Sequence, residues 1–404
     1  MNATAQAPAS GAKEIIFVCS ALDVGGTERQ FATIAAALVR LGWRVSFYSL
    51  AGPGAMQSEF ERAGVRVILP PLARPEGSMA WLRRLFALAL AVPHLFGVML
   101  TRRPAVVHFL LPEAYLVGAP LAVLARIPVK VMSRRSLNRY QTSALVRAME
   151  RALHRRMQAV LGNSHSVIGE LIGEGVPRRR LGLIYNGIDV DTFAAPDSRA
   201  ATRRTLGLAP DALVMTLVAN LIPYKGHHDL MRALAIAAPN LPADWHLLLI
   251  GRDDGIGNQL RQQADSLGIA SRIVFLGQRD DVAALLAAGD IGLLCSHEEG
   301  FANAILEGMA AKLPMIVTDV GGNAEAVVDV ETGLVVPARD PERLAAAIVR
   351  LANNPGERNA FGAAGFRRVG ERFSMTSSVA RHDRLYRALL KGGAPADIAD
   401  IAVA

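Results

Sequence analysis

The chain is predicted to be an α/β protein built from two consecutive doubly wound parallel sheets. Three observations predict this. Short apolar runs alternate with helix-favouring stretches throughout the 404 residues. The alternation stops once, in N-G-I-D-V-D-T-F-A-A-P-D from Asn186, and then restarts. The chain is also long enough for two full cores, with 51% apolar and only 5% aromatic residues. Alternating β and α patterns mark parallel sheets covered by helices on both faces.

In the first half the strand candidates are Ile15–Ser20, Val45–Leu50, Val65–Leu69, Val106–Leu110, Val129–Ser133, Ala159–Gly162 and Leu183–Asn186. Each is a short apolar, β-branched run bounded by turn residues. Helix candidates between them include Thr27–Leu41, Glu113–Ala125 and Ser143–Arg156. The turn-rich text after Asn186 reads as a linker. In the second half the strands are Leu213–Ala219, His246–Gly251, Ile273–Leu276, Ile291–Ser296, Met315–Thr318 and Gly333–Val336. A last helix is expected over Ser374–Leu390. The expected division is a disordered lead-in over 1–12, domains over 13–195 and 196–372, a helix over 373–391 and a tail over 392–404. Ligands of doubly wound sheets bind beyond the carboxyl ends of the strands, so two such domains predict a cleft between them.

Charge is unevenly divided. The net charge is +8. Residues 1–200 hold 24 lysines and arginines against 13 acids, a net +11, while residues 201–404 come to −3. A basic first half suits an anionic partner, such as a membrane leaflet or an acidic acceptor. Nucleic acid would explain that half but predicts nothing about the second, and is not expected as a partner. Cys19 and Cys295 lie in separate apolar runs and read as buried thiols, which points to a reducing, cytoplasmic compartment. The first 12 residues lack the basic and apolar regions of a signal peptide. Phe86–Leu100 is an apolar stretch of fifteen residues, bracketed by Arg83, Arg84, Arg102 and Arg103 and interrupted by Pro93 and His94. It is too short to span a bilayer. A buried helix and a helix lying in the membrane interface both fit it.

The chemistry concentrates in E-G-F-A-N-A-I-L-E-G-M-A, Glu299 to Ala310. Glu299 should lie in the loop after a strand, and Glu307 about a turn inside the following helix. The amides of Phe301, Ala302 and Asn303 open that helix, where the backbone attracts anions. Carboxylates accept from hydroxyls. Phosphate on amides and sugar hydroxyls on carboxylates is the recognition chemistry of a nucleotide sugar. Lys225, after the first strand of the second half, can neutralise a diphosphate, and Asn220, five residues earlier, offers an amide. Gly25 and Gly26 let backbone approach a phosphate or sugar, but they are not the G-x-G-x-x-G fingerprint, which disfavours a nicotinamide cofactor. His108, in V-V-H-F-L-L, fits either a core residue or a contact to sugar or acceptor. Gly321 and Gly322 form another close-approach loop.

These motifs resemble the retaining glycosyltransferases of family 4, which have the GT-B fold. The resemblance is carried by G-G-T-E at 25–28, N-S at 163–164, I-Y-N-G-I-D at 184–189, K-G at 225–226, F-L-G at 275–277, E-G-F-A-N-A-I-L-E at 299–307, L-P-M-I-V-T-D-V-G-G at 313–322 and T-G-L-V-V-P at 332–337. It implies that Glu307 holds the donor ribose and that Glu299 contacts the transferred sugar, with Gly300, Phe301, Ala302 and Asn303 beside it. By the same resemblance Lys225 binds the diphosphate, Gly25 and Gly26 face the phosphate and sugar, and the backbone around Gly277 meets the base. Glu299, Lys225 and His108 are the catalytic candidates. Many members carry an arginine where this chain has Asn220, and Arg252 is the candidate substitute. The resemblance further implies a metal-independent hexosyltransferase without cofactor, acting with retention by front-face attack. The donor is a nucleotide diphosphate sugar. The expected acceptor is lipid-linked or a surface polysaccharide, as in lipopolysaccharide assembly, with peripheral contact to an anionic membrane. The rival readings are a nucleotide-sugar epimerase on the same fold and a non-catalytic nucleotide-sugar binder.

Overall fold

The computed structural model describes residues 13–23, 25–71, 80–137, 143–194 and 199–403, with the side chains of 80–88 outside the description. The expected lead-in and residues 195–198 of the expected linker lie outside the described residues. The chain divides into two compact units, Met1–Gly187 with Met375–Ala404, and Ile188–Ser374.

The first unit holds a seven-stranded sheet of β1 (Glu14–Cys19), β2 (Arg44–Ser49), β3 (Arg66–Ile68), β4 (Val106–Leu110), β5 (Val129–Arg134), β6 (Ala159–Gly162) and β7 (Leu181–Leu183). Its order is β3-β2-β1-β4-β5-β6-β7, with every pair parallel. Both faces are covered, as parallel sheets require. Alternate residues of β1 divide between two cores: Ile15, Phe17 and Cys19 on one side, Ile16 and Val18 on the other. The closing helix Met375–Leu389 belongs to this unit and places Val379, Leu385, Tyr386 and Leu389 in the first of those cores. Trp43 fixes it by donating from Nε1 to Asp383 Oδ1 at 2.7 Å. Beyond it the chain returns to β7, where Leu183 N donates to the Ile401 carbonyl at 2.8 Å.

The second unit holds a six-stranded parallel sheet of β8 (Leu213–Val218), β9 (Trp245–Ile250), β10 (Ile273–Gly277), β11 (Ile291–Leu294), β12 (Met315–Thr318) and β13 (Gly333–Val336). The order is β10-β9-β8-β11-β12-β13. The strand order of each sheet therefore reverses at one place, between β1 and β4 in the first unit and between β8 and β11 in the second. Such switch points open a crevice at the strand ends.

Two expectations shift. The strand expected over Leu183–Asn186 runs instead over Leu181–Leu183, because the turn Arg178–Arg180 delivers a fully buried Leu181 to the sheet edge. Tyr185 and Asn186 have left the ladder. The apolar stretch Phe86–Leu100 lies within a longer helix, Ala80–Arg102, that carries Pro93 inside it. Its Ala91, Leu95 and Met99 are fully buried in the second core, and Tyr48 donates to the Ala91 carbonyl at 3.0 Å. No helix among the described residues is long and apolar enough to cross a membrane.

Candidate functional site

In the second unit the loops after β8, β11 and β12 meet at the switch point. Lys225 ends a single helical turn, Pro223–Lys225, and Gly226 follows with φ +72. A side chain at Gly226 would stand 1.8 Å from the Cys295 carbonyl oxygen, so this position demands glycine for both its backbone and its neighbour. That close approach brings the loop after β8 against the loop after β11. Lys225 Nζ then reaches Glu299 Oε1 at 2.6 Å, with the two side chains 18% and 10% exposed. The same carboxylate oxygen accepts from Ser296 Oγ at 2.7 Å, and the Ser296 carbonyl accepts from Thr318 Oγ1 at 2.6 Å. Asp229, in the first turn of the helix His227–Ala237, meets His297 of the loop after β11 at 2.7 Å, a second link at this end of the sheet.

Gly321 (φ +55) repeats the device from β12. A side chain there would stand 1.8 Å from the Glu299 carbonyl oxygen, while Gly322 N donates to the Gly300 carbonyl at 2.9 Å. The loop 299–302 is therefore clamped on both sides. It leads into the helix Asn303–Ala310, whose N-cap is Ala302. Phe301 is buried against Phe373, and Ile305, Leu306 and Met309 face the core. Glu307 lies within the helix, half-buried. Glu299, Gly300, Phe301, Ala302, Asn303 and Glu307 thus form one continuous element beside Lys225.

Asn220 and Arg252 meet at the neighbouring strand ends. Arg252 N donates to Asn220 Oδ1 at 3.3 Å. Asp254 joins them, accepting from Arg252 Nε at 2.6 Å and from Asn220 Nδ2 at 3.2 Å. Arg252 is exposed, and its charge lies against a carboxylate. Gly277 (φ +67) closes β10 and its carbonyl accepts from Gly251 N at 2.9 Å. Gly251 had no place among the sequence candidates. A side chain there would stand 2.1 Å from the Ala219 carbonyl oxygen, so it brings the end of β9 against the residue before Asn220. A glycine at a strand end was the available signal.

In the first unit Gly25 caps the helix Gly26–Arg40 at the end of β1. The Glu28 carboxylate folds back over it, since a side chain at Gly25 would lie 2.3 Å from Glu28 Oε2. Burial pushes the Glu28 carboxyl above its usual range, opposed by its own backbone amide and the charge of Arg135. Arg135, after β5, donates to Asn186 Oδ1 at 2.5 Å and lies 5.2 Å from the Phe31 ring centre. Burial pulls its guanidinium down to about 10, opposed by Glu28. A small recess at the ends of β5–β7 is lined by Ser133, Arg135, Asn163 and His382, among others.

His108 lies in the middle of β4 and is fully buried. Its Nδ1 meets the Tyr386 hydroxyl and its Nε2 the Ser133 hydroxyl, each at 2.7 Å. Burial holds its pKa well below the usual imidazole value, with His382 and Arg135 pushing the same way. A neutral ring has one donor and one acceptor, and both are engaged. The geometry makes His108 a tie between Ser133 and the returning helix, with no exposed surface for a ligand. One buried network was not visible in the sequence. Arg134 is fully buried and donates to Glu174 at 3.0 and 3.2 Å and to Glu150 at 3.3 Å, while His154 bridges Glu174 to Tyr115.

Known proteins resemble this chain in sequence and in fold. Residues 24–192 match the family model described as Glycosyltransferase Family 4, and residues 212–354 match the one described as Glycosyl transferases group 1. A D-inositol 3-phosphate glycosyltransferase of Segniliparus rotundus is 31% identical over 221 residues, covering 54% of this chain and 49% of its own length. One of Geodermatophilus obscurus is 37% identical over 181 residues, covering 43% and 40%. The matched part of the chain thus spans about half or less of these relatives' length. Among solved structures, Anabaena HepE in complex with UDP and glucose superposes with a TM-score of 0.80 at 24% identity, covering 92% of this chain and 98% of its own. WaaG, a glycosyltransferase involved in lipopolysaccharide biosynthesis, superposes with a TM-score of 0.70 at 19% identity, covering 91% and 99%. Two parallel-sheet α/β units, GT-B neighbours over almost the whole chain and both family models in sequence place this chain in glycosyltransferase family 4.

Proposed function

We propose that the chain transfers a hexose-type sugar from a nucleotide diphosphate donor to an acceptor hydroxyl, with retention of anomeric configuration. The observation that carries this reading is the Lys225–Glu299 pair at 2.6 Å, at the second sheet's switch point and beside the opening of helix Asn303–Ala310. A cation, a carboxylate and a helix N-terminus together suit a diphosphate joined to a polyol. Lys225 would stabilise the leaving diphosphate, with the helix start adding its dipole. Glu299 would accept from hydroxyls of the transferred sugar, and Glu307 from the ribose. Asn220 would orient a phosphate oxygen, and Arg252 would supply the second positive charge by exchanging Asp254 for the donor.

In the step proposed, the bond from the sugar's anomeric carbon to the diphosphate oxygen breaks and the electron pair leaves with the diphosphate. The acceptor oxygen bonds to the same face of that carbon, and its proton passes to a donor phosphate oxygen. None of these roles requires a metal ion.

The first unit would receive the acceptor. Its sequence carries the basic excess, which suits an acceptor bearing phosphate. A lipid-linked or surface-polysaccharide acceptor, reached at the inner face of an anionic membrane, fits that charge. A second reading is a soluble polyol phosphate, favoured by the relatives named D-inositol 3-phosphate glycosyltransferase.

Incubation with labelled nucleotide sugars and two acceptor sets, lipid diphosphate saccharides and inositol phosphates, tests the proposal. Proton NMR of the product then reads the anomeric configuration. Inverted product would refute retention. Conversion of donor to an isomeric nucleotide sugar without any acceptor would replace transfer by epimerisation. Donor binding without turnover across both sets would favour the non-catalytic binder.

A further inference from the structure

The helix Ala144–His154 of the first unit buries one face and leaves another exposed. Glu150, Leu153 and His154 point inward, Glu150 to the fully buried Arg134. On the opposite side Leu145 is 80% exposed and Met149 is 41% exposed. These two are four residues apart, so they stand one above the other on the helix surface. At 3.6 residues per turn Ala148 and Ala152 complete the same stripe. Arg151 and Arg155 border it along one side and Arg156 follows its end, all exposed. The turn Arg178–Arg180 adjoins this end of the helix, because the Arg180 guanidinium donates to the Arg155 carbonyl. The outward face carries no carboxylate from its own helix, since Glu150 is turned inward.

Exposed apolar side chains bordered by arginines along one side and at the end are a pattern that suits a helix lying in a bilayer interface. The apolar stripe enters the acyl boundary, and the long arginine side chains reach back to anionic headgroups. A soluble protein partner of neutral surface would leave the arginines without counter-charges, whereas an anionic leaflet satisfies both halves of the face. We propose that the outward face of Ala144–His154, with Leu145 and Met149 inserted and Arg151, Arg155 and Arg156 on headgroups, docks the first unit on an anionic membrane. The proposal rests on the membrane-associated acceptor reading above and moves its contact away from Phe86–Leu100, whose Ala91, Leu95 and Met99 are spent on the core.

Flotation of the full chain with phosphatidylglycerol-containing and pure phosphatidylcholine vesicles tests this. The substituted residues are exposed and lie outside the donor site, so L145E/M149E and R151E/R155E should fold normally, as checked by thermal unfolding. Wild type is expected to float with the anionic vesicles only. L145E/M149E should partition roughly tenfold or more weakly. R151E/R155E should fall by roughly fivefold or more for each arginine lost, and more steeply at low salt. If wild type floats and both variants float equally well, this face is not the dock while membrane association stands. If wild type stays soluble at low salt, membrane association fails and this inference with it. Concentration-dependent dimerisation that L145E/M149E abolishes, without flotation, would assign the face to a second copy instead.

Discussion

Replacing Lys225 by methionine tests the pivot of the proposed donor site. In wild type Glu299 Oε1 accepts from Lys225 at 2.6 Å and from Ser296 at 2.7 Å. The variant keeps only the serine. A hydrogen bond to a charged group contributes about 1.5–3 kcal/mol. Breaking a fully buried pair costs about 3–5 kcal/mol. This pair retains 18% and 10% side-chain exposure, so water partly rescues the stranded carboxylate and a loss of about 2 kcal/mol is expected. For a unit of this size that lowers Tm by roughly 4–8 °C. The second readout is donor binding. A ligand at a hundred times its Kd stabilises by about 2.7 kcal/mol. If the variant binds donor ten- to a hundredfold more weakly, the same concentration stabilises by only about 0.4–1.4 kcal/mol. Thermal unfolding with and without the donor measures both quantities. A variant as stable as wild type, with undiminished stabilisation by donor, would refute the assignment of Lys225.

Three further outcomes are expected. Gly321→Ala places a methyl 1.8 Å from the Glu299 carbonyl oxygen at a φ of +55, so it should lower stability by more than the ~1–2 kcal/mol of the backbone alone and weaken donor binding with it. Equal stability and affinity would show that the loop after β12 does not clamp Glu299. Burial pulls His227 down to about 4, aided by the nearby charges of Lys225 and His228, and neither ring nitrogen has a hydrogen-bond partner among the described residues. The unfolded chain therefore binds its proton more readily, and this part of the stability is lost as pH falls from about 6.5 through about 4. His227→Leu should flatten the fall in Tm over that window without lowering Tm at neutral pH, and an unchanged slope would remove His227 from the account. Arg252→Ala should weaken donor binding more at low salt than at high salt, whereas unchanged affinity would mean that no second cation compensates Asn220.

Much of this was legible in the sequence, for identifiable reasons. Val106–Leu110, Ala159–Gly162, Met315–Thr318 and Gly333–Val336 fall where the apolar runs end, because strands buried on both faces read as unbroken apolar segments. Glu299 in a loop and Glu307 inside a helix followed from the switch between a strand run and a helix run. Lys225 and Glu299 were separate candidates. Their contact spans 74 residues and depends on Gly226 lying against Cys295, which no local pattern encodes. His108 shows the limit from the other side. Its apolar surroundings allowed a core residue, but Tyr386 lies 278 residues away, and only the return of the last helix reveals why the imidazole is buried and neutral. The Arg134 network was hidden for the same reason, since Glu150 and Glu174 come from other elements. The apolar stripe of Ala144–His154 was masked by a different effect. Leucine and methionine fill cores as readily as they line exposed faces, and only the observed burial separates the two for Leu145 and Met149.

The central claim is a nucleotide-sugar site built from Lys225, Glu299 and Glu307. Thermal unfolding of wild type and Glu307→Ala against a panel of UDP-, GDP- and ADP-sugars tests it most directly, because a ligand that binds only the folded state must raise its stability. The account predicts that one sugar nucleotide raises the Tm of wild type and that Glu307→Ala loses that response while keeping its own fold. A wild type stabilised by none of them, or a variant that responds as wild type does, would contradict it.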